Sequence, residues 1–147
     1  MSHRIRSANL SDASEIARLS DALGYPAGRE EIVRRLALLL PNPSHLVLVA
    51  EPLEGHGLLG WLAAERRITL ESGIKFEIVG LVVDGTVRRS GIGKALVRAA
   101  EAWVLDQSGA SLGVRSNVLR PESHGFYESL GYLRKKSQHV YHKSLSA

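Results

Sequence analysis

The sequence predicts an α/β fold, a mixed (α+β) sheet of six to seven mostly antiparallel strands flanked by about four helices. Three observations predict it. Helical periodicity and β-rich runs alternate along the chain. The runs at 45–50 and 58–66 flank the turn Glu54-Gly55-His56-Gly57 and read as a hairpin. Residues 75–115 read as strand, loop, helix and strand, the unit that makes a parallel crossover.

Arg4 to Ala8 forms a first strand, and Asn9-Leu10-Ser11-Asp12 turns into a helix. Asp12 with Glu15 resembles a capping box, Ile16, Leu19 and Leu23 recur at helical spacing, and Gly24 is a stop. A second helix over Arg29 to Leu40 carries Ile32, Val33, Leu36, Leu39 and Leu40 as its apolar stripe and ends at Pro41 and Pro43. The hairpin follows, with Ile68 to Ser72 extending its second strand and Gly73 marking the next turn. Lys75 to Val83 is a further strand, in which Gly80 marks a bulge or a close backbone approach, or is simply a packing accommodation. Gly93 to Gln107 is a helix with Ile92, Leu96, Ala99 and Trp103 on one face and Gly109 just beyond it. Ser111 to Arg115 is another strand, Pro121 to Leu130 a last helix closed by Gly131, and one or two strands begin at Tyr132.

Length and composition limit what this fold can be. A chain of 147 residues suits one domain over 1–147 with a real core. The absence of cysteine removes disulfide scaffolds, thiol catalysis and cysteine zinc sites. No apolar run approaches the roughly 18 residues of a membrane span, and no apolar stretch follows the basic start, so neither a membrane partner nor a signal peptide is expected and the expected location is cytoplasmic. The net charge of +4 is spread in small groups, with neither a basic stripe nor an aromatic stacking platform, which argues against nucleic acid. The six histidines have no metal-ligand spacing; His139 and His142 point to opposite faces of a strand, so no metal is expected.

The most informative segment runs from Val82 to Leu96. A strand enters a glycine loop that opens an amphipathic helix, turning free N–H groups and the positive end of the helix dipole toward one point, a place that attracts phosphate. A Walker A loop would need Gly where Arg88 stands and Ser or Thr where Ala95 stands; a dinucleotide fingerprint would need Gly or Ala in place of Leu96. What remains is Arg88-x-x-Gly91-x-Gly93. It resembles the pyrophosphate loop of the GNAT superfamily of acyl-CoA-dependent N-acyltransferases. Glu77-Ile78-Val79-Gly80-Leu81-Val82-Val83 resembles that family's fourth strand. Asn117 and Gly125-Phe126-Tyr127-Glu128-Ser129-Leu130-Gly131-Tyr132 resemble its downstream block, with Tyr132 replacing the usual Phe and Gly125 at a helical position. The likeness is specific from about Ile74 to Tyr132 and general before that.

The resemblance implies a GNAT-like sheet whose fourth and fifth strands are parallel and splay apart. It implies acetyl-CoA as cosubstrate. Its pyrophosphate would meet the backbone of Arg89, Ser90, Gly91, Ile92, Gly93 and Lys94 with help from the side chains of Arg88, Arg89 or Lys94. Its pantetheine amides would pair with the main chains of Leu81 and Val83, and the N–H of Val82 or Val83 would face the developing oxyanion. Asn117 resembles the residue that hydrogen-bonds the pantetheine or the leaving group, Glu77 the carboxylate that removes the amine proton, and Tyr127 the tyrosine that protonates the CoA thiolate. Each has a plainer reading: Arg89 and Lys94 as a solvated helix start, Asn117 as a turn cap, Glu77 as an ion-pair partner, Tyr127 as a core aromatic. His124 shares the face of Tyr127, as a pocket residue or a polar neighbour.

The function implied is acetyl transfer from acetyl-CoA directly to a primary amine of a small molecule or protein. The alternative is a GNAT-like domain that binds CoA or acyl-CoA without catalysis, as sensor or scaffold. The acceptor is not legible; Leu23 to Glu31 would help choose it, and Glu30 and Glu31 serve a cationic amine or the helix dipole. A homodimer suits the family, with no specific residue behind it.

Overall fold

A computed structural model describes residues 2–87, 90–115 and 121–146. The strands are β1 (His3–Ser7), β2 (His45–Pro52), β3 (Gly60–Thr69), β4 (Gly73–Val83) and β5 (Gly113–Val114); the helices are α1 (Ala13–Asp21), α2 (Arg29–Leu39), α3 (Ile92–Asp106) and α4 (Pro121–Ser129). Short 3-10 turns occupy Leu10–Asp12 and Gly85–Val87. The chain divides into two compact units, Met1–Arg115 and Ser116–Ala147.

The first unit is one sheet in the order β1-β2-β3-β4-β5, antiparallel through β4 and parallel between β4 and β5. Alternation along the strands gives the sheet two buried faces. On one, Val47, Val49 and Val82 join Ala13, Ile16 and Leu19 of α1 and Ile32 and Leu36 of α2 in a continuous apolar core. On the other, Leu62, Ala64, Phe76 and Ile78 are covered by α3, whose Ile92, Leu96, Val97, Ala100 and Val104 are buried. Phe76 meets Trp103 edge-on at 5.4 Å, and its ring also lies against Gly109, where a Cβ would stand 2.6 Å from it.

The entry to α1 departs from the expected Asp12–Glu15 box. The capping pair is Asn9 and Asp12: the Asn9 side chain accepts from Ser11 N–H at 3.0 Å, and Asp12 accepts from Asn9 N–H at 2.9 Å. Asp12 is also held by Arg6 through two hydrogen bonds of 2.8 Å, so its carboxylate has no oxygen turned to the first turn of α1.

Among the described residues the sheet has five strands, and the one or two strands expected from Tyr132 are absent. Leu133, Val140, Tyr141 and Leu145 are all at least 85% exposed, and residues 133–146 carry no strand. The apolar positions there are separated by Arg134-Lys135-Lys136 and have no ladder partner, without which a strand's main chain gains nothing over water. In this second unit, α4 ends at Gly131 in the left-handed region (φ 93°), and Tyr132 N–H returns to the carbonyl of Tyr127 at 3.1 Å.

Candidate functional site

Among the described residues β4 and β5 pair at two positions, Glu77 with Gly113 and Ile78 with Val114. The register of β3 against β4 shifts between Ala63 and Ala64, leaving Val79 as the extra residue of a bulge. Gly80, next to it, lies under Trp61: a Cβ there would be 2.7 Å from the indole ring. The bulge thus falls one residue before the glycine, whose missing side chain accommodates the Trp61 ring and not a close backbone approach.

The hydrogen-bond phase beyond the bulge follows from one contact. Asp84 N–H donates to the Leu59 carbonyl at 2.8 Å, so by antiparallel alternation Val82 also exchanges with β3, while Leu81 and Val83 turn their N–H and C=O groups to the opposite edge. No strand pairs with that edge among the described residues. The N–H of Val82 is therefore committed to the sheet, and that of Val83 is the outward one.

At the end of β4 the chain makes a tight descent into α3. Asp84 Oδ1 accepts from the N–H and the hydroxyl of Thr86, both at 2.9 Å, and these bonds, with the Arg18 guanidinium, hold its carboxyl below the ordinary Asp value. Ser90 Oγ donates to the Val87 carbonyl. Gly91 precedes the helix with φ 86°, a conformation costly for any residue with a Cβ. Having no side chain, it leaves the N–H groups of the first turn of a 15-residue helix uncapped by its own residue. Ile92 is anchored in the core at 1% exposure, while Ser90, Gly91 and Lys94 are exposed. Arg88, Arg89 and Asn117 lie outside the described residues.

Below the bulge is a charged cleft of about 260 Å³ lined by Glu65, Arg67, Glu77, Ile78, Val79 and Arg115. Glu77 is 8% exposed; Oε1 accepts from Arg67 Nη2, and Oε2 faces Arg115 Nε at 3.6 Å. Arg67 also approaches Glu65 at 3.9 Å, while its buried Nε has no acceptor among the described residues. Register places the four together: Glu65 stands opposite Glu77, which stands beside Gly113, and alternation puts Arg67 and Arg115 on that same face. Sequence reasoning missed Glu65, Arg67 and Arg115. The i, i+2 spacing of Glu65 and Arg67 was a visible signal, but only the pairing of three strands brings them to Glu77.

Tyr127 belongs to the second unit. Its ring makes edge contacts with Phe126 at 5.1 Å and Tyr132 at 5.9 Å, and burial pushes its phenol above the ordinary tyrosine value. It therefore keeps its proton throughout the neutral range.

A family model described as the acetyltransferase (GNAT) family matches residues 12–132. No curated protein matches the chain. A transcriptional regulator from Bacillus halodurans C-125 is 20% identical, with a TM-score of 0.83 over 97% of this chain and 100% of that one. An aminoglycoside N-acetyltransferase in complex with CoA is 16% identical, with a TM-score of 0.86 over 97% of this chain and 95% of that one. Glucosamine-6-phosphate N-acetyltransferase from Arabidopsis thaliana is 20% identical, with a TM-score of 0.83 over 98% of this chain and 100% of that one. At these identities the likeness shows the fold.

Proposed function

The chain belongs to the acetyltransferase (GNAT) family, and from that premise we propose that it moves an acetyl group from acetyl-CoA directly to a primary amine. The observation that carries this reading is the edge of β4 beyond the bulge, which has no strand partner among the described residues: outward main-chain groups at Leu81 and Val83, leading into a glycine loop and an uncapped helix start. Those residues fit the cosubstrate's chemistry. A pantetheine arm offers amides that pair with a strand edge, and a diphosphate suits N–H groups at a helix N-terminus.

When bound, acetyl-CoA supplies an activated acetyl thioester. The N–H groups from Arg89 to Lys94 hold its phosphates, with Arg88, Arg89 or Lys94 adding charge. Leu81 and Val83 align the arm, and Asn117 donates to it. The outward N–H of Val83 stabilises charge growing on the carbonyl oxygen. An alkylamine with pKa about 10.4 is less than about one part in 10³ neutral at pH 7, so the acceptor must lose a proton. Glu77 takes it; each carboxylate oxygen has two lone pairs, so the contacts with Arg67 and Arg115 leave capacity for a proton relayed by water. The neutral amine nitrogen bonds to the acetyl carbon, the carbon–sulfur bond breaks, Tyr127, protonated at neutral pH, supplies the proton for the departing sulfur, and the second proton that the nitrogen gives up passes through solvent to restore the phenol.

A second reading, binding of CoA or acyl-CoA without turnover, draws on two observations: the likeness to a transcriptional regulator and the occupation of both Glu77 oxygens by guanidinium groups. Free CoA thiol released from acetyl-CoA only when an amine is present supports transfer. Tight CoA binding with no thiol release from a broad amine panel supports the second reading instead.

A further inference from the structure

The charged cleft below the bulge has features that the transfer reaction alone does not use. Two guanidiniums and two carboxylates line it, and the arginines are under-employed. Arg115 is 64% exposed at its side chain and reaches Glu77 through one contact of 3.6 Å. Arg67 keeps an Nε–H out of water with no acceptor among the described residues, a condition that costs free energy. A guanidinium has five donors in a planar fork suited to carboxylates, and these two have donors to spare.

The same surroundings discriminate against polycations. Bringing several ammonium groups to a wall holding Arg67 and Arg115 juxtaposes like charges, which is unfavourable. Size points the same way: about 260 Å³ lies below the roughly 300–1,000 Å³ typical of pockets for drug-sized ligands. A small molecule carrying one cationic nitrogen and one carboxylate matches both halves, its nitrogen toward Glu77 and Glu65 and its carboxylate toward the exposed guanidinium of Arg115.

We propose that the Glu65–Arg67–Glu77–Arg115 cleft is an acceptor subsite for zwitterionic amines, α-amino acids or compounds of that form, and that Arg115 is the specificity residue for their carboxylate. This rests on the acetyl-transfer reading. Arg115 is a binding residue in this scheme, so it acts on acceptor KM and leaves the chemistry at the nitrogen to Glu77.

The test is amine-dependent thiol release with four acceptor classes at equal concentration: α-amino acids, their α-carboxamides, spermidine and kanamycin. Amino acids should turn over with the highest kcat/KM. Arg115→Gln should raise KM for the amino acid about two- to fivefold more than KM for its carboxamide, the range for a partly exposed charge pair; Arg115→Lys should recover part of that difference. A melting curve for each variant separates a binding effect from unfolding. Turnover of spermidine or kanamycin without amino acids, or equal effects of Arg115→Gln on acid and amide, overturns the subsite and leaves acetyl transfer standing. Absence of thiol release with every acceptor overturns the transfer reading, and the subsite with it.

Discussion

Two ion-pair clusters on the first unit use the same residue types to opposite ends. In one, Arg18 has its donors engaged: Nε and Nη2 to Glu15 at 2.9 Å, Nη2 also to the Leu58 carbonyl at 3.1 Å, and Nη1 to Asp84 at 3.2 Å. Glu15 in turn accepts from Leu58 N–H at 2.8 Å. That network joins α1, the β2–β3 connection and the start of the glycine loop into one piece. In the other, among the described residues, Arg67 has a buried donor without an acceptor and Arg115 is held by a single long contact. With four of its five donors engaged, Arg18 acts as scaffold. An unsaturated network beside a cleft is poised for recognition. The difference lies in donors spent against donors kept, which residue type alone does not reveal.

The largest test of this contrast is Glu77→Gln, which removes the charge from the unsaturated cluster. Steady-state assays should show kcat reduced about 10²-fold or more, the scale of losing a general base, whereas an unchanged kcat would reduce Glu77 to the ion-pair partner its contacts also suit. Tyr127→Phe should lower kcat by a similar factor with little change in the KM for acetyl-CoA.

Next in size is the loop itself. Gly91→Ala forces a Cβ into the left-handed region at a cost of about 1–2 kcal/mol, and calorimetry should find CoA binding about tenfold weaker. Space is no obstacle, since a Cβ there meets nothing within 4 Å, so an effect of this size would belong to the backbone conformation.

Breaking the Arg18 network should do less to the acceptor and more to the cosubstrate. Arg18→Met keeps the aliphatic stem but frees Asp84 and Leu58; KM for acetyl-CoA should rise about threefold with acceptor KM unchanged, in line with the modest worth of partly exposed pairs. A change in acceptor KM instead would erase the distinction between the two clusters.

The smallest effect is the pH dependence of stability. Hydrogen bonds from Arg18 and Leu58 N–H hold the Glu15 carboxyl down, and those from Thr86 and Arg18 hold Asp84 down. Burial pushes Asp12 up, but Arg6 and Asn9 N–H outweigh it and its net shift is downward. With folded values below unfolded ones, these groups contribute stability that is present above about pH 4, the unfolded carboxylate range, and is lost as pH falls further through their folded values. Urea midpoints between pH 6 and pH 3 should fall, and Arg18→Met should fall less steeply because two of the three groups lose their partner.

What the sequence made legible was local. The glycine loop and α3 are contiguous in the chain, and helix and strand bounds there hold to within a residue or two, although the buried face of α3 continues from Ile92 and Leu96 through Val97, Ala100 and Val104, not through the expected Ala99 and Trp103. Gly80 was readable as an irregularity for the same reason. What register creates was hidden: Glu65, Arg67 and Arg115 meet Glu77 only through the pairing of β3, β4 and β5. The cap at Asn9 was missed because Asp12 offered an equally good local pattern, and the long-range pull of Arg6 decided between them. The strands expected after Tyr132 failed for the converse reason, an apolar pattern with no partner among the described residues.

The central claim, direct acetyl transfer at the edge of β4 beyond the bulge, is tested most directly by continuous measurement of CoA thiol released from acetyl-CoA by the full chain, with and without an added amine. Thiol release that saturates with both acetyl-CoA and the amine, and falls about 10²-fold in Tyr127→Phe, is the result expected. Tight CoA binding with no amine-dependent release would contradict it.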